Sequence, residues 1–276
     1  LKQLTEAILA QTIRVRPAES HKGTYGRVCL IGGNAQFGGA ILMATEASVY
    51  SGAGLNTTLT DPSNFVSLHA RLPEAMVADF TDQSALSALV TAANTVVIGP
   101  GLGTDATSLD ILTKVFRLVS SKQTLIIDGS AITLVAKHDL ALPSAQLVFT
   151  PHQMEWQRLT GIKIADQTDD ANETARTQLM NGTVVLKSHQ TKIYTPTGSY
   201  LNTTGTPAQA TGGMGDTLAG MIAGFTAQFT NQTDAILAAV YAHSDIADLL
   251  AKRQYVVLPT QIIQQLPSYM YNHQHK

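Results

Sequence analysis

The residues best suited to chemistry lie in one run, Asn202-Thr-Thr-Gly-Thr-Pro-Ala-Gln-Ala-Thr-Gly-Gly-Met-Gly-Asp-Thr-Leu-Ala-Gly220. Gly212, Gly213 and Gly215 crowd a turn that leads directly into an apolar, helix-forming stretch. Such a turn lets backbone N–H groups converge, and the helix start adds partial positive charge, which together suit a phosphate group in motion. Asp216 falls in the first helical turn, where a carboxylate can take a proton from a hydroxyl attacking a phosphoryl group while the backbone stabilises the developing charge. Both features also have a purely structural reading. The helix dipole favours Asp in a first turn, and glycines satisfy positive φ angles. The Thr-Gly-Gly-x-Gly-Asp string is nevertheless far more specific than a lone G-x-G-x-x-G. No G-x-x-x-x-G-K-[ST] string occurs, so a nucleotide must be held differently from the Walker class.

These residues need a scaffold. Short, nearly continuous apolar runs recur at Arg27–Gly33, Thr95–Pro100, Thr124–Asp128, Leu147–Thr150 and Val184–Lys187. Runs of that kind are expected of strands buried on both faces of a parallel sheet. Helical patterns fill the gaps near residues 38–53, 105–121, 152–160 and 168–181, giving the alternation of an α/β domain. Around 191–202, two short runs flank a Pro196-Thr-Gly198 turn and read as an antiparallel hairpin. Leu1, Leu4, Ile8 and Leu9 repeat at helical spacing and predict a short lead helix. The tail is expected to be helical from about Asp216 through Leu250, with Pro259 opening a last short helix. No linker, charge run or repeat divides the chain, so residues 1–276 are expected to form a single domain.

A parallel sheet places its ligand at the carboxyl ends of the strands. Small or polar residues do follow the runs: Gly32-Gly33, Gly99-Pro-Gly-Leu-Gly103, Asp128-Gly129, Thr150-Pro-His152 and Lys187-Ser-His189. Gly99–Gly103 resembles a dinucleotide fingerprint without its third glycine spacing; a tight strand-to-helix turn would look the same.

The composition narrows the possibilities. Of 276 residues 44% are hydrophobic, enough for a substantial core, which excludes wholesale disorder. Eighteen Lys and Arg against twenty Asp and Glu argue against nucleic acid as the main partner. A single cysteine, Cys29, forbids an intrachain disulfide and a cysteine-cluster zinc site, and suits a reducing compartment. No apolar run is long enough for a membrane span, and Lys2, Glu6 and Gln11 interrupt any signal-peptide core. A cytoplasmic location with no membrane partner is expected. A first residue other than Met is expected of a trimmed or processed chain.

Taken together, the motifs resemble those of the ADP/ATP-dependent NAD(P)H-hydrate dehydratases, a branch of the ribokinase-like superfamily. The matching strings are Lys22-Gly-Thr-Tyr-Gly-Arg-Val28, Gly38-Gly-Ala40, Gly52-Ala-Gly54, Gly99–Gly103, Thr150-Pro-His152 with Glu155, Lys187 with Thr191, and Ala210–Gly220, in the family's order over nearly the whole chain. The resemblance implies a ribokinase-like three-layer sandwich, a mostly parallel sheet flanked by helices with a small antiparallel hairpin. It implies repair of NADH or NADPH damaged by hydration of the nicotinamide ring: ADP or ATP phosphorylates the added hydroxyl, and phosphate is then eliminated. Asp216 would be the base and also contact the substrate, with Gly213 and Gly215 lining the anion hole. Ala40, Gly103 and His152 would contact the hydrated dinucleotide. Lys187, Ser188, His189, Gln190, Thr191 and Gly215 would hold the nucleotide. Mg2+ would travel on the polyphosphate, with no dedicated metal ligands in the chain. A homotetramer is implied, as is a separate NAD(P)H-hydrate epimerase, since no fused epimerase domain is expected.

The chain departs from the family pattern in three places. Ser188-His189 follow Lys187 where Gly is common, Gln153-Met154 replace Pro-Gly before Glu155, and an acidic pair is reduced to Asp128-Gly129-Ser130. Glu155 could support magnesium through water or serve as a capping partner three residues into a helix. His152 without the resemblance reads as a surface group at a helix start. His243 is expected to be a core or interface histidine, Trp156 a packing residue, Asp61-Pro62 a turn or helix start, and His273-Gln-His275 a frayed end. Two other functions fit the same residues: a ribokinase-like kinase of a small alcohol or vitamin precursor, and a non-catalytic nucleotide-binding protein.

Overall fold

The structure, a computed structural model, describes residues 1–180 and 182–275. Among them ten strands build one sheet: Lys2–Gln3 (β1), Arg27–Ile31 (β2), Leu55–Thr60 (β3), Met76–Asp79 (β4), Thr95–Ile98 (β5), Thr124–Ile127 (β6), Gln146–Phe149 (β7), Thr183–Leu186 (β8), Lys192–Thr195 (β9) and Gly198–Leu201 (β10). Their spatial order is β1-β10-β9-β8-β7-β6-β5-β2-β3-β4. β9 runs antiparallel to both β8 and β10, and the remaining pairings are parallel. The helices are Ala7–Thr12 (α1), Gly38–Tyr50 (α2), Phe65–Arg71 (α3), Gln83–Ala92 (α4), Ala106–Leu118 (α5), Gly129–His138 (α6), Gln153–Thr160 (α7), Asp169–Gln178 (α8), Met214–Gln228 (α9), Gln232–Ala251 (α10) and Pro259–His273 (α11).

Successive strand residues point to opposite faces, so an unbroken apolar run supplies two cores at once. Leu30, Val97, Ile126, Val148 and Val185 join α1, α2, α9, α10 and α11 in one apolar cluster. Their neighbours Ile31, Ile98, Ile127, Phe149 and Leu186 join α4, α5, α6 and α7 in the other. The result is the helix–sheet–helix sandwich expected, with the predicted hairpin present as β9–β10. α9 lies against α2 so closely that a Cβ on Gly220 would sit 2.0 Å from the Ala44 carbonyl oxygen.

Several local expectations are corrected. The lead helix begins only at Ala7, because residues 2–3 pair in parallel with Tyr200–Leu201 and the Leu4 amide donates to the Leu201 carbonyl at 2.9 Å. Pairing on an exposed sheet edge satisfies those backbone groups better than one more turn of a short helix. The long tail helix is two helices. Asn231 caps α10 by accepting from the Asp234 amide at 3.2 Å, which ends the continuity after Gln228. β3 escapes a hydrophobic reading because its burial is polar, with Thr58 pairing with Thr45 at 2.8 Å and Asn56 accepting from Ser48 at 2.6 Å, while β4 is a short edge strand that is only partly buried. The chain end is not frayed, since the His275 amide donates to the Ile13 carbonyl at 2.9 Å and His273 Nε2 lies 3.1 Å from Glu6. The last helix is not short, and α8 ends at Gln178; residue 181, the end predicted for it, lies outside the described residues. Pro259 and Pro62 do open helical turns, the latter with Asp61 as its cap.

Candidate active site

Three adjacent parallel strands deliver the polar groups. Asp128 directly follows β6, β7 runs out into Thr150-Pro151-His152, and β8 runs out into Lys187, whose amide donates to the Pro151 carbonyl at 2.8 Å. Asp128 Oδ1 accepts from the Thr150 hydroxyl at 2.6 Å and from Lys187 Nζ at 3.1 Å. The Asp128 side chain is 3% exposed and that of Lys187 21%. The fourth contributor is the amide-rich bend at the start of α9. Gly213 takes φ 95° as the N-cap residue, a conformation side chains resist. A Cβ on Gly215 would stand 2.9 Å from Lys187 Nζ, so the ammonium lies directly over the first turn of α9.

Asp216 belongs to that turn and is half-buried. Its carboxyl is pushed up to about 6, first by burial and then by the charge of Asp128, with Lys187 opposing. Burial alone would pull the Lys187 ammonium down, but Asp128, Glu155 and Asp216 outweigh it and hold it above the usual lysine value. Burial also raises the Glu155 carboxyl, against the pull of Lys187. A proton acceptor tuned toward neutrality beside a fixed cation and converging amides is suited to deprotonating a hydroxyl that attacks phosphorus.

The predicted residues fall into three groups. Asp216, Gly213, Gly215 and Lys187 come together as described. Ala40 and Gly103 form an adjoining wall: the Ala40 Cβ lies 3.1 Å from where a Gly101 Cβ would be, and the Gly103 amide donates to Ser130 Oγ at 3.1 Å. Met43 ties that wall to the bend, its sulfur 2.5 Å from the position of a Gly213 Cβ. His152 caps α7, accepting from the Met154 and Glu155 amides at 3.2 Å through Nδ1, while Glu155 accepts from the His152 amide at 2.8 Å. Its side chain is 52% exposed, and Nε2 lies 3.6 Å from Glu155 Oε1. Ser188, His189, Gln190 and Thr191 make the turn from β8 to β9. Ser188 Oγ donates to the Gln190 carbonyl at 2.6 Å and His189 and Gln190 are exposed, so this turn borders the carboxylate cluster without joining it.

Two participants were not singled out by their residue types. Asp128 and Thr150 stood at expected strand ends, but their link to Lys187 depends on β6, β7 and β8 lying side by side. Trp156 packs as expected, fully buried with Nε1 donating to Asn172 at 2.8 Å, and His243 is buried against α9. Among the described residues no group of three or more His, Cys, Asp and Glu side chains could hold a metal ion. A cavity of about 860 Å³ lies at the opposite, amino-terminal end of the strands, lined by Arg16, Tyr25, Tyr50 and Tyr271 among others; none of the predicted site residues lines it. Among the described residues no helix is long and apolar enough to cross a membrane.

Sheet order, helix layers and the position of the bend define a ribokinase-like α/β enzyme. A solved ribokinase-like superfamily protein from Enterococcus faecalis superposes with a TM-score of 0.97 at 51% identity, covering 99% of this chain and 96% of that one. The family model described as NAD(P)H-hydrate dehydratase matches residues 28–268, and the chain belongs to that family. It is 56% identical to the ADP-dependent (S)-NAD(P)H-hydrate dehydratase of Lactiplantibacillus plantarum over 98% of this chain and 97% of the relative. The ADP/ATP-dependent NAD(P)H-hydrate dehydratase of Bacillus subtilis, co-crystallised with ATP/Mg2+, superposes with a TM-score of 0.88 at 29% identity over 99% of both chains.

Proposed function

We propose that residues 1–276 act as one domain that dehydrates hydrated NADH and NADPH back to the reduced dinucleotides, driven by ADP or ATP, with Asp216 as the base. Asp216 takes the proton of the added hydroxyl, and that oxygen attacks the terminal phosphoryl of the nucleotide. A nucleotide one phosphate shorter leaves. The C–O bond of the phosphorylated intermediate then breaks, inorganic phosphate departs with the bonding pair, and loss of the neighbouring C–H proton restores the double bond. The amides of Gly213 and Gly215 meet the charge on the migrating phosphoryl, and Lys187 offsets it. Ala40, Gly103 and His152 hold the dinucleotide, while Lys187 and the Ser188–Thr191 turn hold the donor.

A magnesium ion on the polyphosphate would supply charge neutralisation during transfer. The charges suit that arrangement, since three carboxylates act on one ammonium, and in this reading Glu155 would support a donor-bound cation through water. We further propose a cytoplasmic homotetramer served by a separate epimerase. The observation that carries the reading is the Lys187 ammonium lying over Gly215, next to Asp216 in the first turn of α9, at the glycine bend.

The test supplies hydrated NADH with ADP or ATP and follows both the return of reduced-nicotinamide absorbance and the release of phosphate. Asp216→Asn should reduce turnover by about a hundredfold or more while nucleotide still binds. A stable phosphate ester as product would make the protein a kinase. An Asp216→Asn variant altered only in nucleotide affinity would remove Asp216 from the chemistry.

A further inference from the structure

We propose that Asp128 is a positioning residue for this reaction: seated against Thr150, it holds the Lys187 ammonium over Gly215 and off Asp216. The proposal rests on the site assignment above and adds a residue to it. Asp128 is two strands away from Lys187, and its carboxylate is almost wholly enclosed. A buried carboxylate is tolerated only when its oxygens are satisfied. One oxygen here receives two donors, the Thr150 hydroxyl at 2.6 Å and the ammonium at 3.1 Å. The hydroxyl is itself on a fully buried residue, so it fixes where that oxygen points.

The second half of the argument concerns competition. Three carboxylates, on Asp128, Glu155 and Asp216, act on the single ammonium of Lys187. An ammonium is a compact point charge on a flexible stem and can pair with any of them. If it settled on Asp216, the lone pair needed for proton removal would be engaged in an ion pair. The Thr150–Asp128 seat gives the ammonium a stronger partner on the far side. It then lies 2.9 Å from where a Gly215 Cβ would be, above the first amides of α9, where a phosphoryl oxygen would meet it. Asp128 exchanges no proton in this role.

A double-mutant cycle tests it, with turnover, the KM for ADP and for hydrated NADH, and thermal melting measured on Asp128→Asn, Lys187→Ala and the double variant. Asp128→Asn is nearly isosteric and keeps the hydrogen bond from Thr150. We expect it to lower kcat by about tenfold, with the KM for hydrated NADH within about twofold, a coupling of ordinary size for residues in one network. Lys187→Ala should lose at least as much, and the double variant should be no worse than Lys187→Ala. Thr150→Val should lower kcat by an intermediate amount. Multiplying losses in the double variant, an unchanged kcat in Asp128→Asn, or a loss that follows the melting temperature would each overturn the seat. A fully active Lys187→Ala would overturn the site assignment beneath it as well, which separates the two failures.

Discussion

Asp216 is tuned at a cost to the folded state. Its carboxyl is raised from 3.8 to about 6, chiefly by burial, so ionising it at neutral pH is harder in the folded protein than in the unfolded chain. The cost is absent below the unfolded value, grows between the two, and is fully present above about pH 6. Asp216→Asn is therefore expected to stabilise the protein by about 1–2 kcal/mol at pH 8, with the gain vanishing near pH 4. Denaturant titrations of both proteins at the two pH values check this. Turnover carries the same signature in reverse: a base must be ionised, so kcat should fall about tenfold per unit as pH drops below about 6. A pH–rate profile flat from 5 to 8 would contradict the assignment. At this scale much was readable in advance, because Asp216 and its glycines form a contiguous string. The partnership of Asp128 with Lys187 was not, since 59 positions separate them and only strand order joins them.

At the scale of elements, the bend is only as well placed as α9. Two features hold that helix: Met43 and Pro259 packed at Gly213, and the close approach of Gly220 to Ala44. Gly220→Ala would place its new methyl 2.0 Å from a backbone oxygen, which no side-chain rotation relieves. We expect a loss of about 1–3 kcal/mol, visible as a lower melting temperature, and a fall in kcat as α9 is levered off α2. In the sequence, Gly220 looks like the last letter of the chemical motif; in the structure it is a packing residue. The polar strand β3 shows the opposite problem. Its Thr58 and Asn56 side chains are buried through hydrogen bonds to α2, so no apolar run announced a strand that lies between β2 and the edge strand β4.

For the whole molecule, the two apolar layers meet across the sheet and the candidate site lies along its carboxyl-terminal edge. His243, on α10, is buried against the start of α9. Burial pushes its imidazole down to about 4, while the Met214 backbone works the other way through a hydrogen bond. The stability it contributes is complete above the ordinary histidine value of 6.5 and is lost as pH falls toward 4, up to about 3 kcal/mol. Asp216 titrates with the opposite sign over part of that range, so the comparison belongs in an Asp216→Asn background. There His243→Gln should flatten the acid limb of stability between pH 6.5 and 4, measured by denaturant midpoints; an unchanged limb would show that other groups set it. The alternation of buried strands and helices along much of the chain, the double-sided burial of β2, β5, β6, β7 and β8, and the glycine bend before α9 were determined by the sequence itself. Apolar periodicity and turn chemistry act between near neighbours and can be read along the chain. The pairing of residues 2–3 with β10, the burial of polar β3, and the seating of Lys187 between three acids were decided by tertiary structure. Each depends on backbone or charged groups far apart in the chain, and their energies exist only once the sheet has brought them within a few ångströms.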